Sequence, residues 1–241
     1  MLATAWHNSR VLEADCDVPR ILFEDTRILM KKPRIILADD HKLLLEAFQR
    51  LLGLQYDVVG TVSDGYALLE SASLVRPDAV VMDVGMPLLN GLDAGRQLKK
   101  KMPEVKLVFL TVNDDPDLAN EAMRAGASAY LLKSSASSEL FHAIDEALKG
   151  RTYVTKQVAR GMQESFIRDP RPREHAKVLT FRQRQVIQLL AEGKSMKQVA
   201  AVMNIKPRSV AFHKYRVMGE LRFKNSAELV QFAVKNNITT A

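Results

Sequence analysis

The stretch "RIILADDHKLL" (34–44) decides how the chain reads: a run suited to a buried strand ends on two adjacent carboxylates, Asp39 and Asp40, before residues suited to a helix. Like charges side by side repel, so a compensating group must sit near them. The same pattern recurs downstream. "YDVVGTV" (56–62), "DAVVM" (78–82), "KLVFLT" (106–111) and "AYLL" (129–132) are short apolar runs, each followed by an amphipathic stretch. Strand alternating with helix predicts a parallel sheet covered on both faces. Five such units over residues 34–150 predict a doubly wound α/β fold, in which ligands bind beyond the carboxyl ends of the strands. Asp39 and Asp40 then end the first strand, Asp83 the third and Thr111 the fourth, while Lys133 follows the fifth. All would face one rim.

Beyond residue 150 the pattern changes. Residues 151–177 have weak periodicity and contain "DPRPRE" (169–174), which predicts a short helical extension and then an exposed linker. After it come helical patterns only. "LTFRQRQVIQLLAEG" (179–193) has Thr180 as N-cap and Gly193 as stop, and "SMKQVAAVMN" (195–204) starts on Ser195. "KPRSVAFHKYRVMGEL" (206–221) places Pro207 in a first turn, and "SAELVQFAVKN" (226–236) completes four helices. Two short helices about a tight turn predict a small all-α helix-turn-helix domain over 178–241. Residues 1–33 fit neither pattern and read as a disordered extension, its single Cys16 incidental.

Charge divides the same way. Residues 34–149 hold 12 Lys/Arg against 17 Asp/Glu, whereas residues 178–241 hold 11 against 3. An acidic half joined to a basic half predicts that the C-terminal part meets a polyanion. The chain has 241 residues and 47% hydrophobic content, enough for buried cores. No stretch approaches the roughly 20 apolar residues of a membrane span, and the first residues lack a secretory core, so a cytoplasmic protein is expected.

Three carboxylates at one rim call for a cation, and Mg²⁺ prefers oxygen ligands of this kind. Were one carboxylate a nucleophile, the metal and a nearby ammonium would neutralise charge on a transferring phosphoryl group, leaving an aspartyl phosphate. Asp83, between "AVVM" and "VGMPLLNGL", is the central candidate. Taken singly, Asp40 could be a helix cap, Thr111 an ordinary strand residue and Lys133 a surface charge. His41 and His142 read as surface residues.

"ADD" (38–40), "MDVGMP" (82–87), "LT" (110–111) and "YLLKS" (130–134), each after a strand, resemble the receiver domain of bacterial response regulators, a flavodoxin-like fold. The resemblance implies Asp83 as phosphoacceptor. It also implies Asp40, Asp83 and the Gly85 carbonyl as Mg²⁺ ligands, with Asp39 as a partner of the metal or its water. Lys133 would contact the phosphoryl group, Thr111 would donate its hydroxyl to it, and Tyr130 would swing inward as the readout. Ser134 departs from the proline common after the lysine, Val112 from a small residue, and Gly85 and Asn113 occupy positions that influence water access.

On 206–221 the residues Val210, His213, Val217 and Leu221 form one stripe that should pack inward. The outward face carries Arg208, Ala211, Phe212, Lys214, Tyr215 and Arg216, cations interleaved with aromatics as groove binding uses them. Residues 178–235 resemble the LuxR-type DNA-binding domain, so the whole chain is similar to NarL/FixJ-type two-component response regulators. That implies Ala211, Phe212 and Tyr215 toward bases and Arg208, Lys214 and Arg216 toward phosphates, with Phe181 and Lys206 departing from the usual proline and serine.

The function expected is a switch: a sensor histidine kinase phosphorylates Asp83, the protein dimerises, and the dimer binds double-stranded DNA to regulate transcription. Two alternatives stand beside it. One is a DNA-binding regulator indifferent to phosphorylation. The other is a Mg²⁺-dependent phosphohydrolase, disfavoured because no acidic residue lies two positions after Asp83 and because a basic domain would then lack a purpose.

Overall fold

In a computed structural model of the protein, residues 32–168 and 179–239 are described. The extension with Cys16 and the "DPRPRE" stretch lie outside the described residues. From Lys32 onward the chain forms one compact unit.

Six parallel strands make the sheet: β1 (Arg34–Ala38), β2 (Asp57–Val62), β3 (Ala79–Asp83), β4 (Lys106–Thr111), β5 (Ala129–Leu132) and β6 (Tyr153–Val154), in the order β2-β1-β3-β4-β5-β6. Alternate strand side chains enter opposite cores, which is why each strand reads as a continuous apolar run. Ile36, Val80, Met82, Leu107, Phe109 and Tyr130 pack beneath α2 (Gly65–Val75), α3 (Gly91–Lys101) and α4 (Pro116–Arg124). Ile35, Leu37, Val81, Val108, Leu110 and Leu131 pack beneath α1 (Lys42–Leu52) and α5 (Ala136–Leu148). The strand order reverses between β1 and β3, and the crevice this leaves lies between Asp39 and Asp83.

The sheet has one strand more than expected, and it comes from the segment read as extension and linker. Tyr153 and Thr155 donate their backbone N–H groups to Ser128 and Tyr130, adding the two-residue β6. Next, α6 (Lys156–Arg168) lies along α4, with Val158 fully buried and Gly161 so close to the Pro116 ring that a Cβ there would lie 2.9 Å from it. The helix matches the short helical extension expected there, whereas a strand of two residues is too short to leave a readable pattern.

The helical domain comprises α7 (Phe181–Ala191), α8 (Met196–Val202), α9 (Pro207–Glu220) and α10 (Ser226–Lys235). Thr180 and Ser195 each close a capping box with the Gln three residues on, Gln183 and Gln198, satisfying backbone N–H groups that a helix start otherwise leaves open. Two small clusters hold the helices. One joins Val186, Leu189, Val199 and Val210; the other joins Ile187, Val217, Leu229 and Ala233.

Candidate functional site

Asp83 is the last residue of β3, and its surroundings fix it. Gly91, opening α3, lies so close that a Cβ there would stand 2.1 Å from the Asp83 carbonyl oxygen, so only glycine lets the helix start there. The Gly85 backbone N–H donates to the Asp83 carboxylate, and Lys133 Nζ stands 3.1 Å from its Oδ2. Burial pushes the Asp83 carboxyl upward, Asp39 adds to the rise, and Lys133 opposes it.

Asp39 closes the other side. Its Oδ2 lies 2.7 Å from Lys133 Nζ yet is buried without a well-aligned hydrogen bond, so the contact is an ion pair and the oxygen keeps an open lone pair. Burial pulls Lys133 down, but the two carboxylates outweigh it and hold the ammonium above its usual value. Lys133 cannot neutralise three carboxylates. The fourth group is His41, whose Nδ1 stands 3.0 Å from Asp39 and 2.9 Å from Asp40. The hydrogen bond to Asp39 and the charge of Asp40 raise its pKa.

Ligand atoms of Asp39, Asp40, His41 and Asp83 all lie within 4.8 Å of one another. Predominantly hard oxygen donors, one of them a buried oxygen with an open lone pair, fit Mg²⁺. Asp40, exposed at the mouth, and buried Asp83 and Asp39 would hold it. The Gly85 backbone is placed beside Asp83 by its N–H contact.

Thr111 ends β4 one residue beyond Leu110, the ladder partner of Asp83. Its Oγ1 accepts the Asn113 N–H at 3.0 Å. Tyr130 is fully buried, its hydroxyl directed at Thr111 and 3.4 Å from the Asn113 carbonyl. Burial raises the phenol pKa well beyond its ordinary value. Tyr130 thus lies inside, where β5 points it into the core between β4 and α4. Val112, by contrast, is exposed.

On α9, Val210 and Val217 are fully buried, His213 and Leu221 half-buried. Arg208, Phe212, Tyr215 and Arg216 are exposed, and Ala211 and Lys214 are half-buried. Two of the cations have local partners: Lys214 donates to Ser226 at 2.9 Å and lies over the Tyr215 ring, and Arg216 pairs with Glu220 at 2.8 Å.

Comparison with known proteins places both parts of the chain in families. Residues 35–145 match the family described as "Response regulator receiver domain", and residues 177–233 match "Bacterial regulatory proteins, luxR family". The oxygen regulatory protein NreC of Staphylococcus haemolyticus is 30% identical over 213 residues, covering 85% of this chain and 98% of its own. The chain is a NarL/FixJ-type response regulator. A two-component response regulator of the LuxR family from Aurantimonas sp. SI85-9A1 shares 31% identity over 56% of this chain and 99% of its own, with a TM-score of 0.55. A structure of two RcsB dimers bound to two parallel DNAs shares the fold at 22% identity, covering 83% of this chain and 97% of its own, with a TM-score of 0.53. This response regulator is therefore a two-component, DNA-binding transcription regulator, and among its described residues no helix is long and apolar enough to cross a membrane.

Some residues of the site escape sequence reading. His41 is exposed, as expected of a surface residue, but it also touches both carboxylates, which its place directly after them could have signalled. Gly91 reads as an ordinary helix start. Gln188 and Asn90 meet across 98 positions, and no local signal links them.

Proposed function

We propose that Asp83 of this response regulator accepts a phosphoryl group from a phosphohistidine of a sensor kinase, and that the acyl phosphate so formed controls dimerisation and binding to double-stranded DNA. One Asp83 carboxylate oxygen attacks phosphorus while the phosphorus–nitrogen bond of the donor breaks, the electron pair leaving with the imidazole. Lys133 stands where it can neutralise the phosphoryl oxygens, and the Gly85 N–H orients the carboxylate. Bound Mg²⁺ would add positive charge at the same oxygens. Thr111 offers its hydroxyl to the new group, and the turn through Asn113 carries the change outward.

The observation that carries this reading is the convergence of Asp83, Lys133, Asp39 and Asp40 at the point where strand order reverses. On the helical domain, Ala211, Phe212 and Tyr215 would face bases, and Arg208, Lys214 and Arg216 phosphates. A soluble cytoplasmic setting follows from a partner kinase domain and a DNA target. Intact-mass spectrometry after incubation with acetyl phosphate and Mg²⁺ tests the acceptor: wild type gains one alkali-labile phosphoryl group and Asp83→Asn gains none.

One observation favours a second reading, DNA binding indifferent to phosphorylation. The outward residues Arg208, Phe212, Tyr215 and Arg216 are exposed while the helical domain packs on the receiver. Equal DNA affinity with and without phosphodonor is its signature.

A further inference from the structure

Hydrogen-bond reading of base edges relies on Arg, Lys, Asn or Gln side chains that are free to reach them. The outward stripe of α9 is short of such groups. Arg208, Phe212, Tyr215 and Gly219 recur at helical spacing and are all exposed. Of the cations beside them, Lys214 donates to Ser226 and Arg216 pairs with Glu220. No Asn or Gln stands on the helix. The stripe itself therefore offers Arg208 at one end and the Tyr215 hydroxyl.

What it presents instead is apolar surface. Phe212 is 59% exposed and Tyr215 60%, with half-buried Ala211 beside them. A ring left in water forgoes the stabilisation of burial, so two on one open helix face suit a ligand with an apolar part. Both rings are held in place. Phe212 meets the ring of half-buried His213 edge-to-face with centroids 5.5 Å apart, and Lys214 Nζ lies 5.6 Å from the centre of the Tyr215 ring. One turn past Tyr215, Gly219 has open space where a Cβ would stand, so no side chain there rises to hold a duplex away.

Among the groups that base pairs show in the major groove, the apolar one is the C5 methyl of thymine. We propose that Phe212 and Tyr215 read DNA through that methyl, so that thymine positions in the major groove set the target sites of this regulator. The inference rests on α9 binding DNA as proposed above. Affinity comes from the basic surface of the domain, which carries 11 Lys/Arg against 3 Asp/Glu over residues 178–241, and sequence comes from the two rings. In the same place a cytosine presents an N4 amino donor, which an aromatic ring leaves without a good acceptor.

The test uses the full chain, with acetyl phosphate and Mg²⁺ present, and DNA fragments that it selects from a random pool, remade with uracil for thymine. Uracil keeps the O4 acceptor and the pairing with adenine and lacks only the methyl. Fluorescence anisotropy gives affinities for both forms, at a salt low enough for phosphate contacts to keep weakened variants bound. Phe212 and Tyr215 are exposed, so their alanine variants keep the fold by circular dichroism. Wild type should bind the uracil form about fourfold more weakly for each thymine contacted, the worth of one buried apolar carbon. Phe212→Ala should shrink that ratio, and the double variant Phe212→Ala/Tyr215→Ala should bind the two forms alike. Arg208→Ala should weaken both forms and keep the ratio. Wild type that binds both forms equally overturns the methyl readout and leaves DNA binding standing. A uracil effect as large in the double variant as in wild type also overturns it, because the methyl then acts through the shape of the duplex. A wild-type chain that enriches no fragment overturns sequence reading by α9 and the methyl readout with it.

Discussion

The rim of the sheet and the outward face of α9 are both built from charged side chains, yet they are organised in opposite ways. At the rim, Asp39, Asp83 and Lys133 are largely buried and each fixes the others, two carboxylates sharing one ammonium. On α9, Arg208, Tyr215 and Arg216 are exposed, and the ion pair that forms, Arg216 with Glu220, is a surface pair of small energetic weight. Buried charge must be arranged before the ligand arrives, because leaving it unpaired costs several kcal/mol. Exposed charge can wait for a polyanion, since water solvates it in the meantime. A chemical step needs the first kind of construction, and docking on phosphates needs only the second.

That contrast breaks most readily at Lys133. Lys133→Ala should slow adduct formation from acetyl phosphate by roughly 100-fold, the effect of removing one preorganised charge-stabilising donor. A loss under about threefold would mean that the rim is less preorganised than its geometry indicates.

Next comes the backbone beneath the acceptor. Gly91→Ala drives a Cβ into the Asp83 carbonyl oxygen and should destabilise the receiver by about 2–3 kcal/mol, the upper range for an overpacked site. Thermal unfolding by circular dichroism reads this directly, and an unchanged midpoint would show that α3 can start elsewhere.

On α9 the effects should be smaller and salt-dependent. Arg208→Ala should lower the slope of log affinity against log salt by about 1, as expected for one lost phosphate contact. Arg216→Ala should do less, because its guanidinium must first leave Glu220. Equal changes for the two would remove the role given to that pair.

The smallest effect concerns stability without Mg²⁺. Burial, with Asp39 adding, raises the Asp83 pKa, so the folded chain binds this proton more tightly than the unfolded chain. Stability from this group is therefore greatest at low pH and falls as pH rises from about 4 through the raised value. Asp83→Asn removes the penalty and should raise the melting temperature at pH 7 by about 2–4 °C, equivalent to roughly 1 kcal/mol in a chain of this size. The gain should vanish below about pH 4. A gain independent of pH would point to something other than the buried charge.

The parts legible in the sequence share a physical cause. β1, β3 and β4 are buried on both faces, so they read as unbroken apolar runs, and the strand-end positions of Asp39, Asp83 and Thr111 follow from them. The α9 stripe was legible because Val210 and Val217, at helical spacing, turn the same way into the two clusters that hold the helical domain. The parts that escaped depend on distant partners. β6 is two residues long and exists because β5 offers an open edge. Gln188 is a polar residue on a helix that reads as amphipathic, and it is buried only because Met86 and Asn90 meet it from the other domain. Tyr130 was placed in the right strand, but its lying inside depends on the room between β4 and α4, which no local pattern encodes.

On the function proposed above, Asp83 chemistry governs DNA binding. The most direct measurement is the affinity of the full chain for DNA fragments selected by the protein itself, titrated at fixed salt with and without acetyl phosphate and Mg²⁺, for wild type and Asp83→Asn. Phosphorylated wild type should bind more tightly, and Asp83→Asn should not respond. Wild type that carries the phosphoryl group yet binds DNA no more tightly than before would contradict it.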